Sequence, residues 1–206
     1  MERLLQIWKV NFRYHLLPHV FTAIILCCLA PFIMGVENLD HFQTAKILEI
    51  FLSLLGIIVF VPLFLPEQDK NIRDLITSKK NSMLVIYSIR FVEQLLILAG
   101  IIFAFLCYLK LGNCQFPLGS YYVGTLAGCI ALGALGIFFY GITDNIAVGY
   151  MVPVLYYILC YGGGQKYMGK LYLFSMMQGN LTNKYYLIAA AIILLISGIA
   201  FRVVRK

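Results

Sequence analysis

The chain has 206 residues and a formal net charge of +7, with 62% hydrophobic and only 12% charged residues. A soluble domain averages about 25% charged residues, so an ordinary soluble fold is excluded. Mean hydropathy is +0.88, and the apolar residues fall in blocks near the roughly 20 residues that cross a bilayer.

Residues 1–15, MERLLQIWKVNFRYH, interleave Leu4, Leu5, Ile7, Trp8, Val10 and Phe12 with Arg3, Lys9 and Arg13. This pattern suits a helix lying in the inner membrane interface with its tryptophan at headgroup level. The alternative is an uneven cytoplasmic start to the first span. Six spans are expected: Leu16–Gly35, Ile47–Leu65, Arg90–Leu109, Tyr121–Tyr140, Ile146–Gly163 and Tyr186–Val203. The first block is too long for the apolar core of a secretory leader and is expected to be retained. His15 and His19 stand four apart, a metal-binding spacing on a helix. Pro18 lies between them and no third ligand is near, so the pair reads as interfacial histidines.

In the second span Glu49 follows Lys46 by three residues, which predicts a local ion pair at an outer helix end. A polar connector, PEQDKNIRDLITSKK, then occupies Pro66–Lys80. Ile72, Leu75 and Ile76 recur at i, i+3, i+4, while Asp69, Lys70, Arg73 and Asp74 take other faces. A short amphipathic helix is predicted there. It would either dock a soluble partner or rest on lipid. In the third span Glu93 follows Arg90 by three residues, and mutual pairing would offset the cost of a charge in the bilayer, about 2.5–3.5 kcal/mol at a helix centre. A proton or ion site at Glu93 is the sharper alternative.

The fourth span, GTLAGCIALGALG, has Gly124 and Gly128 in GxxxG register and Ala127 and Ala131 behind them, the mark of a closely packed helix. Asp144 in the following GITDN turn is expected as a helix cap. After the fifth span, residues 164–185 contain YLFSMM at Tyr172–Met177, too apolar for a free loop and too short to cross. A partly buried or re-entrant hairpin fits, because backbone at membrane depth must be shielded by protein or water. GQKYMGKL at Gly164–Leu171 comes near a phosphate-binding loop, but Leu171 replaces its required hydroxyl and a span precedes it in place of a strand.

Five of the six cysteines lie in apolar spans and Cys114 in a loop, which argues against a disulfide framework. No metal set, paired intramembrane carboxylates or nucleophile segment stands out, so the chain is not read as an enzyme, and no metal or cofactor is expected on it. With the N-terminus in the cytoplasm, inside segments hold eleven Lys and Arg and outside segments five, and an even span number returns RVVRK to the same side. The basic balance therefore reflects membrane anchoring, not nucleic-acid binding. The expected fold is an all-α integral membrane protein of one domain, residues 1–206, with six transmembrane helices and both termini cytoplasmic.

Six spans in this length, with a charged connector after the second, resemble the membrane subunit of type-2 ABC transporters. Glu67, the helical stretch near Asn71–Thr77, the break at Ser78–Ser82 and the basic Arg90 occur in the family's order. Lys79 and Lys80 depart from it, standing where a proline is common. The resemblance implies that residues 66–82 form the coupling helix that sits on a separate ATPase dimer, with Glu67, Ile72, Arg73, Asp74, Leu75 and Ile76 as coupling residues. It implies a second copy or a homologous subunit, ATP and magnesium held by the partner, and a bacterial plasma membrane. The path would run along spans two and five, where Phe51, Phe60, Tyr150, Tyr156 and Tyr157 suit an exported amphipathic peptide, lipid or drug. A membrane scaffold or sensor subunit without transport is the alternative.

The charge bias predicts that position 79 is cytoplasmic and position 110 is outside. Single cysteines at these sites, probed in intact cells with an impermeant thiol reagent, should label only at 110. Rapid labelling at 79 overturns the topology.

Overall fold

The computed structural model describes Trp8, residues 11–68 and residues 83–204. Among these residues the structure is helical, without strands. Six helices are long and apolar enough to span a membrane: α1 (Phe12–Met34), α2 (His41–Glu67), α3 (Met83–Leu111), α4 (Leu118–Thr143), α5 (Ile146–Leu171) and α6 (Thr182–Val204). They run 23 to 29 residues, which at about 1.5 Å per residue exceeds the roughly 30 Å of bilayer hydrocarbon. The all-α, six-span expectation holds. Helix ends lie outside the expected bounds in most cases. Phe12–His15 wind into α1 through a π-helical turn, and most of residues 1–15, where the interfacial helix is expected, lies outside the described residues. Likewise α3 begins at Met83, seven residues before Arg90.

Burial ranks the helices. In their most apolar stretches α2 is 78% buried and α4 67%, against 17% for α1 and α5. So α2 and α4 form the centre. The outer helices turn residues such as Phe32, Ile193 and Phe201 outward, as an apolar solvent allows.

The central helix α2 is broken. His41–Ile50 is α-helical behind an Asp40 capping box with Gln43. Leu52–Leu54 then tighten into 3₁₀ geometry, and Leu55–Phe60 resume the α-helix. Val61–Glu67 end as a 3₁₀ stretch. Pro62 and Pro66 lack the N–H groups that an α-helix would need there. Carbonyls near the first break are served from other helices. The Tyr157 hydroxyl of α5 donates to Ile50 O at 3.0 Å, and the Cys129 thiol of α4 lies 3.0 Å from Leu52 O.

The small residues of α4 admit close neighbours from within the same chain. A Cβ on Gly56 of α2 would collide with the backbone carbonyl of Cys129. One on Gly141 would lie 2.6 Å from the carbonyl oxygen of Gly198 in α6. The GxxxG pair does something further. Gly124 faces the side chain of Met176, while Gly128 faces Leu173, Ser53 and Lys184. Its groove therefore seats the segment before α6.

At the face opposite the termini, Asn38 N–H donates to Gly112 O at 2.9 Å and Gln115 N–H to Leu39 O at 3.2 Å, joining the α1–α2 and α3–α4 loops. All six cysteines are free, and Cys114 is buried in this junction.

Overpacking a closed helix crossing costs about 1–3 kcal/mol or more, because backbone must move. Gly56→Val is therefore expected to lower thermal stability and monodispersity of the purified protein. Gly100→Val should leave both unchanged, since a Cβ on Gly100 meets nothing within 4 Å. Thermal scans and gel filtration of both variants check this.

Candidate functional site

Two polar networks lie inside the bundle, one near each end. The first is on the face that carries the termini. Glu67, at the end of α2, is 1% exposed and receives Arg90 Nη1 of α3 at 3.0 Å. The Tyr87 hydroxyl, one turn before Arg90, donates to the other carboxylate oxygen of Glu67. Arg202 of α6 is buried, pairs with Asp144 in the α4–α5 turn, and lies over the Phe64 and Tyr140 rings at 5.5 and 5.8 Å. Two guanidinium groups and two carboxylates thus balance within one network that touches α2, α3, α6 and the α4–α5 turn.

The expected Arg90–Glu93 pair is not formed. Arg90 is engaged by Glu67, whose fixed position at the end of α2 offers a carboxylate across a helix interface. Glu93 instead accepts from Asn11 Nδ2 at 2.8 Å and leaves its second oxygen without a hydrogen bond. Asp144 is a helix cap as expected, at the C-terminal end of α4. It takes the left-handed C-cap position of α4 with φ 56°, while Asn145 caps α5 by accepting from Ala147 N–H at 2.9 Å.

The second network sits near the opposite face. Glu49, 2% exposed on α2, pairs with Lys184 of α6 at 2.6 Å. Its two carboxylate oxygens accept the backbone N–H groups of Met176 and Met177, each at 2.9 Å. Lys184 also donates to Leu173 O at 2.5 Å. Lys46 is therefore not the partner of Glu49; it points away while Glu49 points into the core. The segment between α5 and α6 is a partly buried hairpin, with Leu173, Phe174, Ser175 and Met176 covered. Burial pushes the Tyr172 phenol above its ordinary range, and the nearby Glu49 carboxylate adds to the rise.

Of the expected coupling residues, Glu67 is placed as above. Ile72, Arg73, Asp74, Leu75 and Ile76 lie outside the described residues. Among the expected path residues, Phe60 is buried against Phe91 at 5.3 Å between ring centres. Tyr157 reaches α2 beside Phe51 through the Ile50 carbonyl, and its ring meets Phe174 at 5.2 Å. Tyr156 donates to Leu171 O, and Tyr150 is half-buried on α5. Phe60 faces α3 and α4. Gly164–Met168 continue α5 as helix through a turn at Gly164 (φ 67°), and Gly169–Leu171 form a 3₁₀ turn. The near phosphate loop therefore has the wrong backbone. No group of His, Cys, Asp and Glu able to hold a metal occurs among the described residues.

Asn11, Tyr87, Lys184 and Arg202 were not singled out from the sequence, since each partner is many residues away. The apolar run Tyr172–Met177 was the only signal of the far-end network. No family model, curated protein or solved structure matches this chain. It is, by its six apolar helices, an all-α integral membrane protein.

Removing one member of a buried ion pair strands the other and typically costs about 3–5 kcal/mol. Arg90→Ala should therefore destabilise strongly, and Glu67→Gln in the same chain should recover part of the loss. Asp144→Ala should also destabilise, because it strands the Arg202 guanidinium, whose side chain is 2% exposed, and should cost more than Arg90→Ala with Glu67→Gln. Unfolding midpoints of the four proteins in one detergent test the order.

Proposed function

We propose that this protein is the membrane subunit of an ATP-driven transporter of the type-2 ABC class. It exports an amphipathic or hydrophobic molecule from the cytoplasm of a bacterial cell, with a second permease subunit beside it. ATP and magnesium belong to a separate ATPase dimer, and access alternates as that dimer closes and opens.

The observation that carries this reading is the Glu67–Arg90–Tyr87 cluster. The connector leaves α2 at Glu67, and a buried pair 3.0 Å long ties that end of α2 to Arg90, seven residues past Met83 in α3. A force on the connector would act on α2 and α3 together. The nearby Arg202–Asp144 pair extends the tied region to α6 and the α4–α5 turn. Buried charges cost several kcal/mol each to desolvate, and at the root of the connector they give it a fixed seat through which a force can pass. The order acidic residue, amphipathic helix, basic residue agrees with the resemblance.

In this reading Ile72, Leu75 and Ile76 form the ridge that enters the ATPase, with Arg73 and Asp74 at its rim. Interface energy concentrates in a few central anchors worth about 2 kcal/mol or more each. Leu75→Asp is expected to release the ATPase and abolish transport while the protein still inserts and pairs. Arg73→Ala should be milder. A pull-down on equal amounts of inserted protein reads the result, using any ABC ATPase that a neighbouring reading frame encodes. ATPase binding retained by Leu75→Asp sinks the coupling role. Failure of the native protein to bind any such ATPase favours the scaffold or sensor alternative.

A further inference from the structure

The two networks are built from different materials. At the terminal face the charged groups mainly bind one another, with one longer contact from Arg90 Nη1 to the Leu63 carbonyl at 3.4 Å. At the far end, Glu49 and Lys184 grip main chain: the carboxylate takes the N–H groups of Met176 and Met177, and the ammonium donates to the Leu173 carbonyl. The segment they hold has little regular structure of its own. It runs from Tyr172, whose backbone is extended, into the short 3₁₀ turn Met176–Gln178. Its own hydrogen bonds are local, from Gln178 and Asn180 N–H to Ser175 O and from Gly179 N–H to Met176 O. Gly169 and Gly179, both at positive φ, stand on either side of it with open space around them.

The segment is nonetheless inserted deeply. Leu173 and Ser175 are fully buried, and Met176 fills the groove at Gly124. Beneath it lies Cys160 of α5, also fully buried and in reach of the Leu173 backbone.

We propose that residues 172–178 are a retractable plug in the far end of the bundle, and that Glu49 is the latch that holds it. The plug's role as the outer gate of a transport path rests on the permease reading above; its latching does not. The hold on the plug is electrostatic. Without the Glu49 carboxylate, two N–H groups are left buried and unpaired, and the Lys184 ammonium keeps the Leu173 carbonyl but loses its counter-charge. Water is the readiest replacement partner, and admitting it requires only that the plug, and not a membrane helix, move. An ion pair alone would not need this arrangement. Two carboxylate oxygens, each on a separate backbone N–H of the plug, make the position of the plug depend on the charge of Glu49.

The test uses Cys160 as the native reporter, in full-length protein whose other five cysteines are replaced, held in lipid nanodiscs and treated with a charged maleimide. Native Cys160 should label slowly. Glu49→Gln, which keeps the side chain's size, should accelerate labelling about tenfold or more, the response expected when a local opening becomes cheaper. A chain with Cys160 also replaced and Ala134→Cys added, a buried α4 site nearer the terminal face, should stay protected with or without Glu49→Gln. The double exchange Glu49→Lys with Lys184→Glu can rebuild the ion pair but sets an ammonium against the plug's N–H groups. It should label as fast as Glu49→Gln. Native labelling rates in Glu49→Gln overturn the proposal. So does protection restored by the double exchange, or acceleration at position 134 equal to that at Cys160. Adding the partner ATPase and MgATP separates the two readings. A native Cys160 rate that changes with turnover supports the gate. A constant rate, with the latch results intact, removes the transport role and leaves the plug.

Discussion

A hydrocarbon interior offers no hydrogen bonds, so a helix that breaks inside it must find partners for its freed carbonyls within the protein. That constraint organises this bundle around α2. At its interruption, Phe51–Leu54, the Leu55 N–H bonds the Leu52 and Ser53 carbonyls within the turn, and Tyr157 of α5 and Cys129 of α4 add contacts to the Ile50 and Leu52 carbonyls. The Ser53 hydroxyl serves the Glu49 carbonyl from within α2. These partners must come close, and the close approach of Gly56 to the Cys129 backbone provides it. The break in α2, the small residues of α4 and the tyrosines of α5 are thus parts of one solution. Each would be a liability without the others, since an unpaired backbone group in lipid costs several kcal/mol.

Apolar contact cannot by itself decide which helix meets which, because lipid tails are as apolar as the side chains they replace. The buried charges supply direction. Glu67 with Arg90 joins α2 to α3, Arg202 with Asp144 joins α6 to the α4–α5 turn, and Glu49 with Lys184 joins α2 to α6. Each pair connects elements that are not held together by a short loop alone. Such pairs add little net stability after desolvation, but a wrong helix arrangement would leave at least one charge alone in a low dielectric. They therefore act against alternative packings more than in favour of the native one.

The spans were legible in the sequence because membrane crossing is a property of local composition, and local composition survives folding. The hairpin was legible for a related reason: Tyr172–Met177 is an apolar run in a place where a solvated loop would be polar. The charge partners were not legible. Arg90 and Glu93, and Lys46 and Glu49, have the spacing of helical ion pairs, and that spacing says only that two groups can meet. Both predictions failed for the same physical reason. The acid or base faced the interior, where a partner on another helix shares its buried environment, while the neighbour on its own helix was turned elsewhere or already engaged. Pairing across 23 residues for Glu67 and 127 for Glu49 with Met176 leaves no periodic trace. The helical ridge at Ile72–Ile76 lies outside the described residues, so its sequence pattern stands on its own.

The location of the α2 break bears on how the two ends can move. Below it, the segment from Leu55 to Glu67 is bound to α3 chiefly through the Arg90–Glu67 pair, with a longer contact from Arg90 to the Leu63 carbonyl, and packs against the Gly133 face of α4 through Phe60. Above it, His41–Ile50 carries Glu49 and through it the hairpin. The 3₁₀ turn between them has weaker hydrogen bonding than the α-helix on either side. It is the place where a rotation of the lower part would be taken up or passed on. Side-chain grips at the lower end suit a unit that must move as one body. A main-chain grip at the upper end suits a unit that must let go, because releasing it exposes peptide groups that water satisfies readily. Under the transport reading, the chain has a stiff end where force enters and a yielding end where a path opens, and the interrupted helix is what joins them.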